Sequence, residues 1–288
     1  MLRSLREIVD KSENENISFW KVVQMDDCNE RAVTEEDSYK MMLYMYRSMK
    51  EADNNYDAKL KSSSGLVGGE GEKVRKRRLS GKMLSGDLMG RVMERALKTG
   101  ESNACMKRIV AAPTAGSCGV VPSVFITIQE ELNLSDDQMA EAMYVAAGIG
   151  SVIADRASIS GAEGGCQAEI GSASAMAAGG AAYLLGGTSA DIANAAALAL
   201  KGLLGLACDP VAGLVEVPCV KRNVLGAINA VSCADMTIAG ISTKIPPDEV
   251  IDAMRSIGRN MNSDIRETGI GGLAGTPTGV SIRNKIKM

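Results

Sequence analysis

Apolar positions along this chain recur mostly at helical spacing. From Thr34 the run TEEDSYKMMLYMYRSMKEA opens with a capping hydroxyl and the acids Glu35, Glu36 and Asp37. It then repeats Met41, Met45 and Met49 every four residues, which predicts a helix with a core-facing methionine stripe. Ser85 starts a second helix through DLMGRVMERALKTG, with Gly100 suited to the left-handed C-terminal position. Ser135 and Gln138 form a capping box ahead of DDQMAEAMYVAAG. Residues 188–204 and 223–238 read as further helices, and Pro246-Pro247 introduces another carrying Val250, Met254 and Ile257. Strand signals are scarce, the best being short apolar pieces near Ile109 and Phe125. The expected fold class is therefore mainly α.

Glycine-punctuated segments separate these helices. KSSSGLVGGEGEKVRKRRLSGKMLSG reads as one long loop over residues 61–85. Its basic cluster, Lys73, Arg75, Lys76, Arg77 and Arg78, reads as a solvated face, with phosphate binding as the sharper alternative. Four more loops, APTAGSCGVVP, SISGAEGG, CDPVAGLVEVPC and RETGIGGLAGTPTG, are rich enough in glycine to converge on one site. No fixed internal repeat is visible.

Composition narrows the picture. With 288 residues the chain buries a substantial core without staples. Aromatics are 3% of the chain while methionines number 17, so that core is aliphatic. Thirty-two Lys and Arg against 35 Asp and Glu give a net charge of -3, which argues against nucleic acid as a partner. The N-terminal MLRSLREIVDKSENE lacks the apolar run of a secretory signal, so a cytoplasmic protein is expected. Residues 170–190 form an uncharged stretch long enough to span a bilayer. They are dominated by Gly, Ala and Ser and flanked by Glu169 and Asp191, so no membrane span is expected.

Candidate chemistry lies in the cysteines. Seven occur with no CxxC, and there is no histidine at all, which excludes Ser-His and Cys-His nucleophiles and His-ligated zinc. Cys166 heads a run of small residues, and Cys208 and Cys219 bracket a loop stiffened by Pro210 and Pro218. Cys208 follows one expected helix and Cys166 precedes another, placements in which a helix N-terminus can stabilise a thiolate. Three soft ligands without histidine point to iron-sulfur ahead of zinc, and three inert buried thiols are the competing reading. Cys28, Cys105, Cys118 and Cys233 read as small core hydrophobes, with Cys118 the best placed of them to line a site.

Taken together, APTAGSCGVVP (Ala112 to Pro122), ASISGAEGGCQAEIGSASAMAA (Ala157 to Ala178), CDPVAGLVEVPCVKRN (Cys208 to Asn223) and RETGIGGLAGTPTG (Arg266 to Gly279) resemble the α chain of the bacterial iron-sulfur-dependent L-serine dehydratases. The resemblance runs from about residue 60 to the C-terminus. It implies a catalytic domain over residues 61–288, with residues 1–60 a helical segment packed on it and the Gly-rich loops converging on an iron-sulfur site. It assigns Cys166, Cys208 and Cys219 as ligands of a 4Fe-4S cluster. It further implies L-serine as substrate, pyruvate and ammonia as products, and a separate β chain as partner.

For the remaining roles the residues leave options. A base for the α-proton is sought among Ser158, Ser160 and Lys221, and substrate contacts among Thr114, Ser117, Arg222 and Arg266. Two departures from the family pattern stand out. Some members end in a cysteine that reaches the cluster, whereas this chain ends NKIKM, so inhibition by its own tail is not expected. Single-chain members carry a His-Asn pair where this sequence reads KGLLGLAC, with Gly202 and Leu203. The competing functions are a non-catalytic iron-sulfur redox or regulatory module and a pyridoxal-phosphate dehydratase.

Overall fold

The computed structural model describes residues 2–286, and among them every regular element is helical. An isolated parallel bridge between Cys208 and Arg266 is the β feature they contain. Three N-terminal helices, α1 (Leu5–Glu15), α2 (Phe19–Arg31) and α3 (Glu35–Asn54), lead into α4 (Glu70–Leu79) and α5 (Gly86–Ala104). There follow α6 (Val120–Leu132), α7 (Asp136–Arg156), the single turn α8 (Gly161–Gly164), α9 (Ser172–Leu184), α10 (Ser189–Lys201), α11 (Cys219–Ile238), α12 (Pro247–Asn260) and α13 (Pro277–Ile286). The end of the NKIKM tail, Lys287 and Met288, lies outside the described residues.

Helix α9 is the axis of the molecule. Its sequence SASAMAAGGAAYL is buried from Ser172 through Ala182, and α6, α7, α10 and α11 pack around it. A helix apolar on every side belongs in a core. Its small residues let the neighbours close in: a Cβ on Gly179 would stand 2.2 Å from Ile149 Cδ1, and one on Gly180 would stand 2.2 Å from Phe125 Cζ. The uncharged stretch from Ile170 is thus core, and no helix of the described residues is long and apolar enough to cross a membrane.

Local signals set the helix starts. Thr34 Oγ1 accepts the Asp37 N–H at 3.1 Å, Ser135 and Gln138 form the reciprocal capping box, and Pro247 opens α12. Helix α1 is capped from across the molecule, Asp248 of α12 accepting the N–H groups of Leu5 and Arg6 at 2.8 and 3.0 Å. Helix α1 also packs on α10, and α2 and α3 pack on α7.

Several expectations are corrected. Residues 61–85 are not all loop, because α4 forms in their middle. Glu70 and Glu72 sit at its N-terminal end and Lys76, Arg77 and Arg78 in its last turn, the arrangement that complements the helix dipole. The fully buried Glu101 carboxylate accepts the free amides of Glu70 and Gly71 at 2.6 and 3.4 Å. Arg78 leaves the basic face to pair with Asp87 at 2.9 Å and Glu94 at 3.0 Å. Gly100 does not end α5, which runs on to Ala104 while Gly100 makes room for Val220. The methionine stripe buries Met49 but leaves Met41 48% exposed. Steps of four residues drift about 40° each around a helix of 3.6 residues per turn, so such a stripe leaves the core within two turns. Phe125 lies in α6 and not in a strand.

Candidate active site

Three chain segments are brought together by backbone bonds. The C-terminal loop zips onto Cys208, whose N–H donates to Ile265 O at 2.8 Å and whose carbonyl accepts the Glu267 N–H at 2.7 Å. Glu267 holds a positive φ of 64°, which turns its side chain towards the thiols. The Cys166 segment is tied to the same place, since Gln167 N–H donates to Leu206 O at 3.0 Å and Gln167 Oε1 accepts the Gly205 N–H at 2.9 Å. Cys219 opens α11. There Asn223, one turn on, donates to Cys219 O at 3.0 Å and to Gly116 O at 2.8 Å while accepting the Gly119 N–H at 2.8 Å. Asn223 therefore fastens the loop holding Thr114 and Ser117 to the cysteine helix.

All three thiols are free and buried. Burial first, and then the negative fields of the other thiols and of Glu169 and Glu267, push the Cys208 thiol well above its ordinary value. Burial pushes Cys166 up to about 12, against the pull of Arg222. Cys219 rises to about 12 through burial, Cys166 and Glu169. Every pair among the three feels its partner, so they share one compartment. Cys208 is not at a helix N-terminus; Cys219 holds that position on α11, and Cys166 directly precedes the π-helical turn Gln167–Gly171 that runs into α9. Cys118 is fully buried and donates weakly to Thr99 O at 3.9 Å.

Around the thiols stand Thr114, Ser117, Arg222 and a residue the sequence reading passed over, Glu169. Its carboxylate accepts from Thr114 Oγ1 at 2.8 Å and from Cys208 Sγ at 3.8 Å. Two glycines leave room for it: a Cβ on Gly116 would lie 2.8 Å from Glu169 Oε1, and one on Gly161 would lie 2.8 Å from Oε2 and 3.0 Å from Cys208 Sγ. Burial raises the pKa of Glu169, and Glu267 adds to the rise, while Thr114 and Cys208 oppose it. π-Helical turns recur at functional sites. Glu169 is the only charged residue between Cys166 and Asp191, and that isolation within a run of small residues was the available signal. Ser117 is fully buried, with its hydroxyl 3.1 Å from Thr114 Oγ1. Arg222 donates to Ala207 O at 2.7 Å and pairs with Asp209 at 2.8 Å. Burial works against its charge, but Cys166 and Asp209 outweigh that and raise its pKa.

Four candidates make no hydrogen bond to this group. Ser158 and Arg266 line a neighbouring cleft of about 370 Å³, together with Ala162, Glu163 and Gly164 of α8. Ser160 precedes α8, its N–H donating to Ser158 Oγ at 3.0 Å. Lys221 is not brought to the thiols: its ammonium pairs with Glu70 at 2.5 Å, and half its side chain is exposed.

The donor set suits an iron-sulfur cluster. Three free thiols come from three rigidly joined segments, and the absent side chain of Gly161 leaves space directly before Cys208. No three Cys, Asp or Glu side chains among the described residues close around a single ion.

The chain is 46% identical over 286 residues to a probable L-serine dehydratase, alpha chain, of Bacillus subtilis, covering 99% of this chain and 95% of that one. It is 40% identical over 284 residues to the L-serine dehydratase, alpha chain, of Peptoniphilus asaccharolyticus, covering 98% and 97%. Against the L-serine dehydratase of Helicobacter pylori it is 45% identical over 179 residues, which are 61% of this chain and 39% of that protein. The sequence profile of the serine dehydratase alpha chain matches residues 14–274, and the chain belongs to that family.

Proposed function

We propose that this chain is the catalytic α chain of a cytoplasmic L-serine ammonia-lyase, converting L-serine to pyruvate and ammonia. The convergence of Cys166, Cys208 and Cys219 with the Thr114, Glu169 and Arg222 side chains carries the reading, together with family membership. The three cysteines would hold a 4Fe-4S cluster. When bound, the cluster supplies through an iron without a protein ligand a Lewis-acid position for the substrate hydroxyl, a poor leaving group at neutral pH.

The protein's own groups do the rest. The Ser117 hydroxyl and the Arg222 guanidinium are the donors for the substrate carboxylate, while Thr114, whose hydroxyl donates to Glu169, orients that side chain beside it. Glu169, already in contact with Cys208, takes the proton-transfer role, in place of Lys221, which Glu70 holds away, and of Ser158, which lines the neighbouring cleft and accepts the Ser160 N–H. Loss of the α-proton and the hydroxyl leaves aminoacrylate. That enamine tautomerises to an imine, and water hydrolyses it to pyruvate and ammonia.

A separate β chain completes the enzyme. Two of the relatives are named alpha chains, and the matched region is 39% of the Helicobacter pylori protein, so more of that protein lies outside the match than within it.

The test is pyruvate release from L-serine by the chain reconstituted anaerobically with iron and sulfide, together with its β chain. Turnover that disappears in Glu169→Gln while iron is retained supports the assignment. Full turnover in that variant overturns the role of Glu169, and no turnover in the reconstituted wild-type pair overturns the reading itself.

A further inference from the structure

We propose that the cleft beside the thiol compartment is a binding site for a free α-amino acid, held as its zwitterion. The cleft of about 370 Å³ is lined by Ser158, Glu163, Met254, Arg255, Arg259 and Arg266. Its position is set by glycine contact: a Cβ on Gly258 of α12 would lie 2.8 Å from Gly164 Cα, so α12 rests directly on the loop preceding Cys166. Arg255 and Arg259, four residues apart on α12, share one helix face, where like charges oppose each other. Arg266 joins them from the loop zipped onto Cys208. Three arginines from two elements therefore line one cleft.

These cations are poorly neutralised. Arg255 reaches Asp252 only at 3.5 Å, and that carboxylate is already bound by Arg156 at 2.6 Å. The Nε of Arg266 is shielded from solvent and has no hydrogen-bond partner. The Arg259 guanidinium makes no hydrogen bond or ion pair among the described residues. Burying a guanidinium N–H without an acceptor is costly, and a carboxylate bound in the cleft supplies one. Ser158 Oγ accepts from the Ser160 N–H, which leaves its hydroxyl proton to donate to the same carboxylate.

One acid, Glu163, also lines the cleft and has no ion pair among the described residues. A simple anion would be repelled by it. A ligand with an ammonium group beside its carboxylate satisfies both the arginines and Glu163, and a free α-amino acid is the smallest such molecule.

The ligand class follows from the charges of the cleft and rests on the proposed function only for the choice of L-serine as probe. The experiment is equilibrium dialysis of the full chain, without iron, against radiolabelled L-serine. Saturable binding is expected to weaken at least tenfold in Arg259→Met, Arg266→Met and Glu163→Gln and to persist in Thr114→Val. L-Serine methyl ester, which lacks the carboxylate, and 3-hydroxypropionate, which lacks the ammonium group, should each compete at least tenfold less well than L-serine. Arg259 and Glu163 are exposed, so their replacement leaves the fold intact, checked by circular dichroism.

Binding that survives the Arg259 and Glu163 substitutions but is lost in Thr114→Val would place the amino acid in the thiol compartment and overturn the proposal, as would no saturable binding to the wild-type chain. The two readings separate cleanly. Pyruvate formation without Arg259-dependent binding sinks only the cleft, and intact binding without pyruvate sinks only the dehydratase.

Discussion

Arg222 and Asp209 form an ion pair of 2.8 Å with both side chains nearly buried, 12% and 6% exposed. Arg222 also faces Cys166, and Asp209 directly follows Cys208 in the chain. Asp209 is held on its other side by the Leu273 N–H at 2.8 Å. Removing one partner of a buried pair leaves the other charge uncompensated, at a cost of about 3–5 kcal/mol. Arg222→Ala should therefore lower the urea stability of the chain by about that amount and abolish iron retention. Wild-type stability in that variant would show that the pair is not a structural tie.

The crowding around α9 predicts a sharp intolerance. Gly180→Val would drive a branched side chain into the Phe125 ring, whose Cζ already stands 2.2 Å from the Cβ position. Overpacking of this kind costs about 1–3 kcal/mol. In a chain of this size the thermal midpoint should fall by several degrees, read by circular dichroism, and an unchanged midpoint would mean that the helices around α9 can spread.

Much of this fold was legible because helix caps and apolar periodicity are local signals. The Ser135 capping box and the Pro247 start of α12 were readable from a few residues each. Helix α4 was hidden because its support is remote: Glu101, thirty residues on, caps it, and its own sequence has almost no apolar face. The same distinction holds at the site. The cysteines stand out by type, whereas Glu169 and Asn223 take much of their meaning from remote partners, Thr114 for one and Gly116 for the other.

Residues 62–67 are held to the cysteine loop through one carboxylate. Buried Glu216 accepts from Ser62 Oγ at 2.9 Å and from Ser64 Oγ. Glu216→Ala leaves these hydroxyls without their acceptor, at a cost of about 1–3 kcal/mol. Limited proteolysis should then cut within residues 60–69 faster than in the wild type, and an unchanged cleavage rate would show that this loop is anchored elsewhere.

Acid stability should report on Asp136. Hydrogen bonds from Lys50 at 2.8 Å and Gln129 at 2.9 Å, helped by Arg47 at 3.1 Å, bring its carboxyl down to about 2. A native value below the unfolded one means that the charged form stabilises the fold. That contribution, about 2 kcal/mol, is complete above about pH 4 and is lost as the pH falls towards 2. The stability gap between wild type and Asp136→Asn, measured in urea, should be about 2 kcal/mol at pH 6 and close between pH 4 and pH 2. A gap that stays constant with pH would contradict the assignment.

The central claim is that Cys166, Cys208 and Cys219 hold a cluster with one iron left for substrate. Mössbauer spectroscopy of the anaerobically reconstituted chain, with and without L-serine, tests it most directly. The account predicts about four irons per chain, one of whose signals shifts on adding L-serine, and loss of the cluster when any of the three cysteines is replaced by serine. A cluster that survives replacement of Cys208, or one whose irons all ignore L-serine, would contradict it.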